Sequence, residues 1–454
     1  MKQLFLQTFG CQMNQYDSER IARVMGRMGY AVTDRVENAD LILLNTCSVR
    51  DKAEQKVYSA LGRLKEIKEQ RAGVIIGVGG CVAQQEGEAL LKRVPHLDLV
   101  FGTHNIHKLP EIVEQVQTLE SRPVETAFYR DPSYMEDPED EVQVRGARAF
   151  VTIMQGCNKV CSFCIVPHVR GREVSRPGEK ILREVEALAD RGVVEVMLLG
   201  QNVNSYGKMT PGELSFAELL GRVNAIDGIE RIRFTTSHPQ DLSPELIEVF
   251  AELDKLCQHL HLPVQSGSDG VLARMRRGYT RAEYLDRIER LRARRPEVAL
   301  STDIIVGFPG ETDDEFNATL ELLEQVGYDE IYSFTYSPRP QTVSAKLYDD
   351  DVPDDTKRDR LSRVQGLQRE ISLRKNRERI GGIEEILVEG RSKLKNGQIM
   401  GRTRSNRIVN LFGPESLTGA LVAARITGAT ATSLIGELAR AVTASDLYPE
   451  GESA

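Results

Sequence analysis

Six of the seven cysteines have neighbours or spacing that could serve a metal. The stretch AFVTIMQGCNKVCSFCIVPH, residues 149–168, places Cys157, Cys161 and Cys164 at spacing C-x3-C-x2-C and ends in His168. Two kinds of site fit that set. With His168 as fourth donor, it could hold one zinc ion in a tetrahedral knuckle. Alternatively, the three thiolates could hold a 4Fe-4S cluster, which normally takes four, and leave one iron open to a substrate or cofactor. Cys11, Cys47 and Cys81 lie far apart in sequence, yet each directly follows an apolar run that ends in Gly or Thr: QLFLQTFG, LILLNT and GVIIGVGG. Cys257, in ELDKLCQHLHLP, has no partner spacing and reads as an ordinary buried thiol.

The elements that must position these residues follow from periodicity. Over the first part of the chain, apolar strands (QLFLQTFG, LILLNT, GVIIGVGG, LDLVFG) alternate with helices expected from about Asn14, Asp51 and Gln84. Such a pattern predicts a doubly wound parallel sheet covered on both faces. The carboxyl ends of its strands lie along one edge, so three cysteines distant in sequence could meet there. An acidic, proline-containing stretch, DPSYMEDPEDE, then reads as an exposed linker.

From Arg148 six strands recur with helices between them: AFVTIMQ, EVMLLGQ, RIRFTTS, HLHLPVQ, ALSTDIIVGF and EIYSFTYS. Six βα units predict a parallel sheet curled into a partial barrel, with chemistry at the carboxyl ends of its strands. The C-x3-C-x2-C loop follows the first of them, which favours a cluster in a catalytic position over a structural zinc knuckle. Thr356 to Arg379 reads as a connecting helix with a basic face. Beyond it, short strands broken by Gly and Asn-Gly turns (EEILVEG, QIMGRTRS, RIVNLFG, ALVAARITGAT, TSLIGEL) predict a small antiparallel β-barrel.

Composition narrows the class. A chain of 454 residues, 41% of them apolar, suggests about three domains with real cores. An odd, sparse set of seven cysteines argues against a secreted disulfide framework and for reduced thiols. The N-terminus lacks the apolar run of a signal peptide, and no window reaches the ~18 apolar residues of a membrane span, so the expected location is the cytoplasm. A formal net charge of −8 conceals local asymmetry: residues 349–355 read DDDVPDD, whereas residues 391–410 carry six Lys/Arg and no acid.

On these residues the central region resembles the radical S-adenosylmethionine (SAM) superfamily, in which the amine and carboxylate of SAM occupy the open iron. The stretches TFGCQMNQYDSE, NTCSVRDKAEQKVYSALGRLK and GVGGCVAQQEGEALL resemble the methylthiotransferases, radical SAM enzymes with an extra N-terminal domain that holds a second 4Fe-4S cluster. NTCSVR and MQGCNKVCSFCIVPHVRGRE are most similar to the branch that makes 2-methylthio-N(6)-dimethylallyladenosine at tRNA position 37. Sister branches act on threonylcarbamoyl-adenosine or a ribosomal protein. A zinc-dependent RNA-modifying hydrolase is the alternative of a different class, but no H-x-E or H-E-x-x-H pattern supplies its general base.

The resemblance implies four segments: a cluster-bearing domain over 1–118, a linker over 119–142, a radical SAM core over 143–375 and an RNA-binding TRAM barrel over 376–440. It implies two 4Fe-4S clusters, one on Cys157, Cys161 and Cys164 and an auxiliary one on Cys11, Cys47 and Cys81. Gly200, Gln201 and Asn202 after the second barrel strand, Gln265 and Ser266 after the fourth and Gly307 after the fifth become candidates for holding SAM, the alternative being that they only shape turns. Arg402, Arg404 and Arg407, on an expected hairpin, become candidates for a tRNA anticodon stem-loop. An electron donor such as flavodoxin or ferredoxin is implied, and a monomer is expected because no coiled-coil heptads are visible. Two residues depart from the family pattern: His168 stands where tyrosine is usual and Gln341, in SPRPQTVSA, where glycine is usual.

Overall fold

The computed structural model describes residues 1–48, 51–71, 73–136, 146–392 and 397–439. Six parallel strands form the N-terminal sheet: β1 (Lys2–Thr8), β2 (Tyr30–Val32), β3 (Leu41–Thr46), β4 (Ile75–Gly80), β5 (Leu99–Phe101) and β6 (Val124–Glu125), in the order β2-β1-β3-β4-β5-β6. Every residue of β3 and β4 is buried, as a strand covered on both faces requires. Side chains alternate between the faces. Leu41 and Leu43 pack toward the helices Gln12–Arg27 and Leu109–Leu119, whereas Ile42 and Leu44 pack toward Asp51–Gln70 and Glu88–Arg93. The short β2 and β6 carry too little periodicity to be read from sequence. The helix expected from Gln84 instead starts at Cys81 itself.

Strand order reverses between β1 and β3, which opens a crevice beyond their carboxyl ends. The segment read as an exposed linker is partly anchored: Tyr134 and Met135 are buried, and Arg20 donates to the Tyr134 carbonyl at 2.9 Å. Its remainder from 137 to 142 lies outside the described residues.

The central region contains β7 (Arg148–Thr152), β8 (Met154–Gln155), β9 (Val174–Ser175), β10 (Glu195–Leu199), β11 (Arg231–Phe234), β12 (His259–His261), β13 (Ala299–Val306) and β14 (Glu330–Thr335). Two parallel sheets, β7-β10-β11 and β12-β13-β14, are joined where Cys257 N–H donates to the Ile232 carbonyl at 2.9 Å. The result is one partial barrel of six main strands. Strands β8 and β9 pair antiparallel and close the base of the cysteine loop between them. Helix Asp354–Arg377 packs along β14.

The C-terminal barrel is closed in the order β15 (Ile383–Arg391), β16 (Gln398–Thr403), β17 (Ile408–Phe412), β19 (Leu434–Leu438), β18 (Leu421–Ala429). The sequence predicts an antiparallel barrel, but one pair departs from that: β17 and β19 run parallel. Direction cannot alternate all the way round a ring with an odd number of strands, so one parallel pair is unavoidable. This barrel docks on the amino ends of the central strands. Arg231, fully buried, meets the Glu385 carboxylate at 2.7 Å and the Arg402 carbonyl at 2.8 Å, and Arg148 pairs with Glu389 at 2.6 Å.

That docking also engages the arginines of the basic run that the sequence suggests for RNA. Arg402 pairs with Glu389 at 3.1 Å, Arg404 donates to the Asp254 and Leu256 carbonyls, and Arg407, only 9% exposed, pairs with Asp329 and donates to Asn376 at 3.0 Å. Their charges neutralise acids and carbonyls at the domain junction, a use that net charge along the sequence cannot reveal. Lys393 and Lys395 of the same run lie outside the described residues.

Candidate active site

At the edge of the N-terminal sheet, an asparagine network gathers three strand ends. Asn14 donates to the Thr46 carbonyl at 3.0 Å, and its amide oxygen accepts from the Cys11 backbone N–H at 3.3 Å. Asn45 donates to the Asn14 carbonyl at 2.8 Å, and Thr46 Oγ1 bonds the Gly79 carbonyl at 2.6 Å and the Val82 N–H at 3.2 Å. The loops carrying Cys11, Cys47 and Cys81 are therefore tied to one another. Two glycines make the approach possible. A Cβ on Gly10 (φ +127°) would lie 2.5 Å from Cys47 Cβ, and one on Gly80 (φ +89°) would lie 2.5 Å from the Thr46 carbonyl oxygen.

The second set sits in the loop between β8 and β9. Gly156, at φ +81°, passes so close to Arg172 that a Cβ would lie 2.1 Å from its carbonyl oxygen. Its N–H donates to Gln201 Oε1 at 2.5 Å, so the end of β10 holds the start of the cysteine loop. Burial pushes the Cys157 thiol up to about 11 and Cys164 to about 12, with nearby Cys161 adding to both. Thiolate character there must come from metal binding, which displaces the protons. Arg277 donates to Cys161 Sγ at 3.2 Å, and His238 Nε2 lies 3.9 Å from the same sulfur.

The donor set fits a cluster better than one zinc ion. Zinc needs all its ligands within ~2.0–2.3 Å of one point. His168, the fourth donor a zinc site would need, is exposed. A 4Fe-4S cluster takes one thiolate per iron and holds the sulfurs apart. Polar atoms without partners supply a further sign of a missing group. Asn202 Oδ1, Glu173 Oε1 and Ser237 Oγ are all buried and unpartnered; Asn202 and Ser237 follow the carboxyl ends of β10 and β11, and Glu173 immediately precedes β9.

The remaining SAM candidates differ in placement. Gly200 is packed against Met154, where a Cβ would approach its Cγ at 2.5 Å. Gln265, at φ +77°, bridges to β13, and Ser266 is fully buried 3.3 Å from Thr319 Oγ1. Gly307 donates to Glu311 at 2.7 Å and leaves room for Lys357, whose Cγ lies 2.3 Å from an added Cβ. These four contacts keep turns in shape, and among the candidates Asn202 alone carries a buried acceptor without a partner. Sequence reading missed Asn14, Glu173, Ser237 and Arg277, which have no recognisable spacing; Glu173 and Arg170 lay within the quoted HVRGRE.

The N-terminal and central domains meet beside both cysteine stretches. Cys81 packs against Ile165 and Val169, directly beyond Cys164. Thr103 Oγ1 donates to the Val169 carbonyl at 2.8 Å, His104 Nε2 lies 2.9 Å from the Arg170 carbonyl, and Arg170 pairs with Asp17 at 2.7 Å. Met13 and Tyr16 of the N-terminal domain cover Phe150, Met197 and Leu199 on the face of β7 and β10 opposite the helix-packed core. The N-terminal domain thus covers part of the partial barrel's inner face and excludes water from it.

Comparison with known proteins agrees with this architecture. Residues 3–102 match the Uncharacterized protein family UPF0004, residues 151–323 the Radical SAM superfamily and residues 377–439 the TRAM domain. The chain is 55% identical over 438 residues to the tRNA-2-methylthio-N(6)-dimethylallyladenosine synthase of Geobacter metallireducens, covering 96% of this chain and 98% of that one. It is 54% identical to the synthase of that name from Geotalea uraniireducens, covering 97% and 99%. Among solved structures, the radical SAM methyltransferase TsrM from Kitasatospora setae is similar in fold, with a TM-score of 0.58 at 15% identity, covering 76% of this chain and 77% of that one.

Proposed function

We propose, from the premise that this chain belongs to the tRNA-2-methylthio-N(6)-dimethylallyladenosine synthase family, that it methylthiolates dimethylallyl-modified adenosine at position 37 of tRNA. The observation that supports this reading is the packing of Cys81, at the N-terminal sheet edge, against Ile165 and Val169 just beyond the Cys157–Cys164 loop. With a reduced 4Fe-4S cluster and SAM in place, such a site supplies a 5′-deoxyadenosyl radical able to take hydrogen from carbon 2 of an adenine. Cys157, Cys161 and Cys164 would hold that cluster, and Cys11, Cys47 and Cys81 an auxiliary one. Gln201 holds the cysteine loop in register through Gly156. Asn202, Glu173 and Ser237 offer their unpartnered oxygens to the polar groups of SAM. Arg277 keeps Cys161 oriented by its hydrogen bond to the sulfur.

The C-terminal barrel is the natural docking module for the anticodon stem-loop, through side chains other than the three arginines held at the junction. A flavodoxin or ferredoxin as reductant, a cytoplasmic location and a monomeric state complete the reading; among the described residues, no helix is long and apolar enough to cross a membrane. Substrate choice tests it. A pocket for a branched five-carbon chain gains ~2–3 kcal/mol from burying that chain, whereas the carboxylate of a threonylcarbamoyl group would be buried unpaired at a cost of several kcal/mol. Reconstituted enzyme should convert an anticodon stem-loop bearing dimethylallyladenosine and leave those bearing adenosine or the threonylcarbamoyl form, as read by mass spectrometry of 2-methylthio product. Preference for the threonylcarbamoyl substrate would move the chain to a sister branch.

A further inference from the structure

The cysteine loop of the central domain has one flank open to solvent. Val160, between Cys157 and Cys161, is 70% exposed, and Met209, in the connection after β10, is 65% exposed. Among the described residues these are the two most exposed large apolar side chains of the central domain. Their sequence neighbours bring them together. Lys159 and Lys208 each reach the Asp241 carboxylate at 2.8 Å, one on either oxygen, and Asn202 holds that carboxylate at 2.8 Å. Two ammonium groups share one carboxylate, which leaves a positive charge at the surface. Lys159 also donates to Gln240 Oε1 at 3.1 Å, and Gln240 donates to the Gly278 carbonyl at 2.6 Å, so the flank continues through exposed Gln240 and Gly278 to the segment of exposed Arg276. The same flank is bonded directly to two cysteines. Lys159 N–H donates to Cys157 Sγ at 3.4 Å, and Arg277 to Cys161 Sγ at 3.2 Å. The rest of the loop is covered: Phe163 packs on the cluster of Val271, Met275, Phe308 and Tyr336, and Ile165 on Cys81.

We propose that this flank is the docking surface of the electron donor, a small acidic flavoprotein of the flavodoxin kind that sets the edge of its flavin against Val160 and Met209. This rests on the reading of Cys157, Cys161 and Cys164 as ligands of a reducible cluster. Three properties suit that occupant. Electron transfer slows steeply with distance, so a donor gains most on a flank bonded to the ligands themselves. The dimethylbenzene edge of a flavin is apolar, and so is the Val160–Met209 pair. Lys159, Lys208 and Arg276 attract an acidic partner and speed its arrival, while a small patch suffices for the weak, short-lived encounters of redox proteins. An RNA backbone would use the lysines but leave the apolar pair in water, which favours the protein. One electron leaves the donor's reduced flavin, which is oxidised by one equivalent, and enters the cluster, which is reduced by one; no bond forms or breaks.

The test uses the full chain and a recombinant flavodoxin. Lys208→Glu and Met209→Glu lie outside the cysteine loop and leave the ligand set alone. Each should weaken binding of oxidised flavodoxin by about 3- to 10-fold in a calorimetric titration, and Lys208→Glu should also flatten its salt dependence. Both should match the parent in anaerobic 5′-deoxyadenosine formation driven by dithionite, a small reductant that needs no docking. With flavodoxin as reductant, the KM for flavodoxin should rise by the same factor as the affinity falls. Val160→Glu should weaken flavodoxin binding as well. Parental affinity in all three variants overturns the proposal. Parental flavodoxin affinity together with weaker binding of the anticodon stem-loop overturns it in favour of an RNA contact. If Lys208→Glu does not fold, Lys208→Gln decides in its place: weaker binding at low salt supports the proposal and parental affinity overturns it. A parent that forms 5′-deoxyadenosine with dithionite but binds no flavodoxin also overturns it, whereas a parent that forms none with dithionite overturns the cluster reading, a separate failure.

Discussion

The two cysteine sets are built on opposite plans. Cys157, Cys161 and Cys164 lie within eight residues, in one loop whose base is closed by β8 and β9. Cys11, Cys47 and Cys81 are brought together only because β1, β3 and β4 are neighbours in a parallel sheet, and only the Asn14–Asn45–Thr46 network and two positive-φ glycines let their loops touch. A contiguous set should fail locally when it is damaged. A topological set should fail together with the sheet edge that assembles it.

The largest contrast should come from the ligands themselves. Changing any one of Cys157, Cys161 or Cys164 to Ala should abolish reductive SAM cleavage, measured as anaerobic 5′-deoxyadenosine. The same change at Cys11, Cys47 or Cys81 should leave that cleavage measurable, stop formation of methylthiolated tRNA and halve the bound iron from about eight atoms to about four. Methylthiolation by any of the latter mutants would return them to structural thiols.

A smaller effect separates scaffold from ligand. Asn14→Ala removes side-chain bonds to the Cys11 and Thr46 backbones and should destabilise the N-terminal domain by ~2–3 kcal/mol, with loss of auxiliary iron but normal SAM cleavage. Iron content unchanged from wild type would mean that the sheet alone assembles the edge.

The barrel junction gives a control remote from both sets. Arg231→Ala strands Glu385 in a buried pair and should cost ~3–5 kcal/mol, read as a lower unfolding temperature, without changing the iron bound per folded molecule. Replacing Arg407 should likewise act on stability first, because it is bonded to Asp329 and Asn376. An Arg407→Ala protein of normal stability with weakened tRNA affinity would restore that residue as an RNA contact.

The smallest prediction concerns the departure at Gln341. It adopts φ +75°, the left-handed region that glycine enters without strain. Gln341→Gly should therefore raise stability by up to ~1 kcal/mol, with the gain partly offset by a freer unfolded chain. A loss of stability would show that the glutamine side chain supports the loop after β14.

How much was legible depends on whether the information was local. Strand and helix periods, the C-x3-C-x2-C spacing and the strand-end position of Cys11, Cys47 and Cys81 are properties of short windows, so the sequence by itself determined three domains of the right class and two cysteine sets. The folded chain alone decided partnership. Six Lys/Arg without an acid look like a free basic surface in sequence, yet Arg402 meets Glu389 on the neighbouring strand, and Arg404 and Arg407 meet the Asp254 carbonyl and the Asp329 carboxylate, 150 and 78 residues away. Arg170 and Asp17 are likewise 153 residues apart, and a charge that far away leaves no periodic trace. A side chain's partner is set by which strands become neighbours, and that depends on burial summed over the whole chain rather than on any window within it.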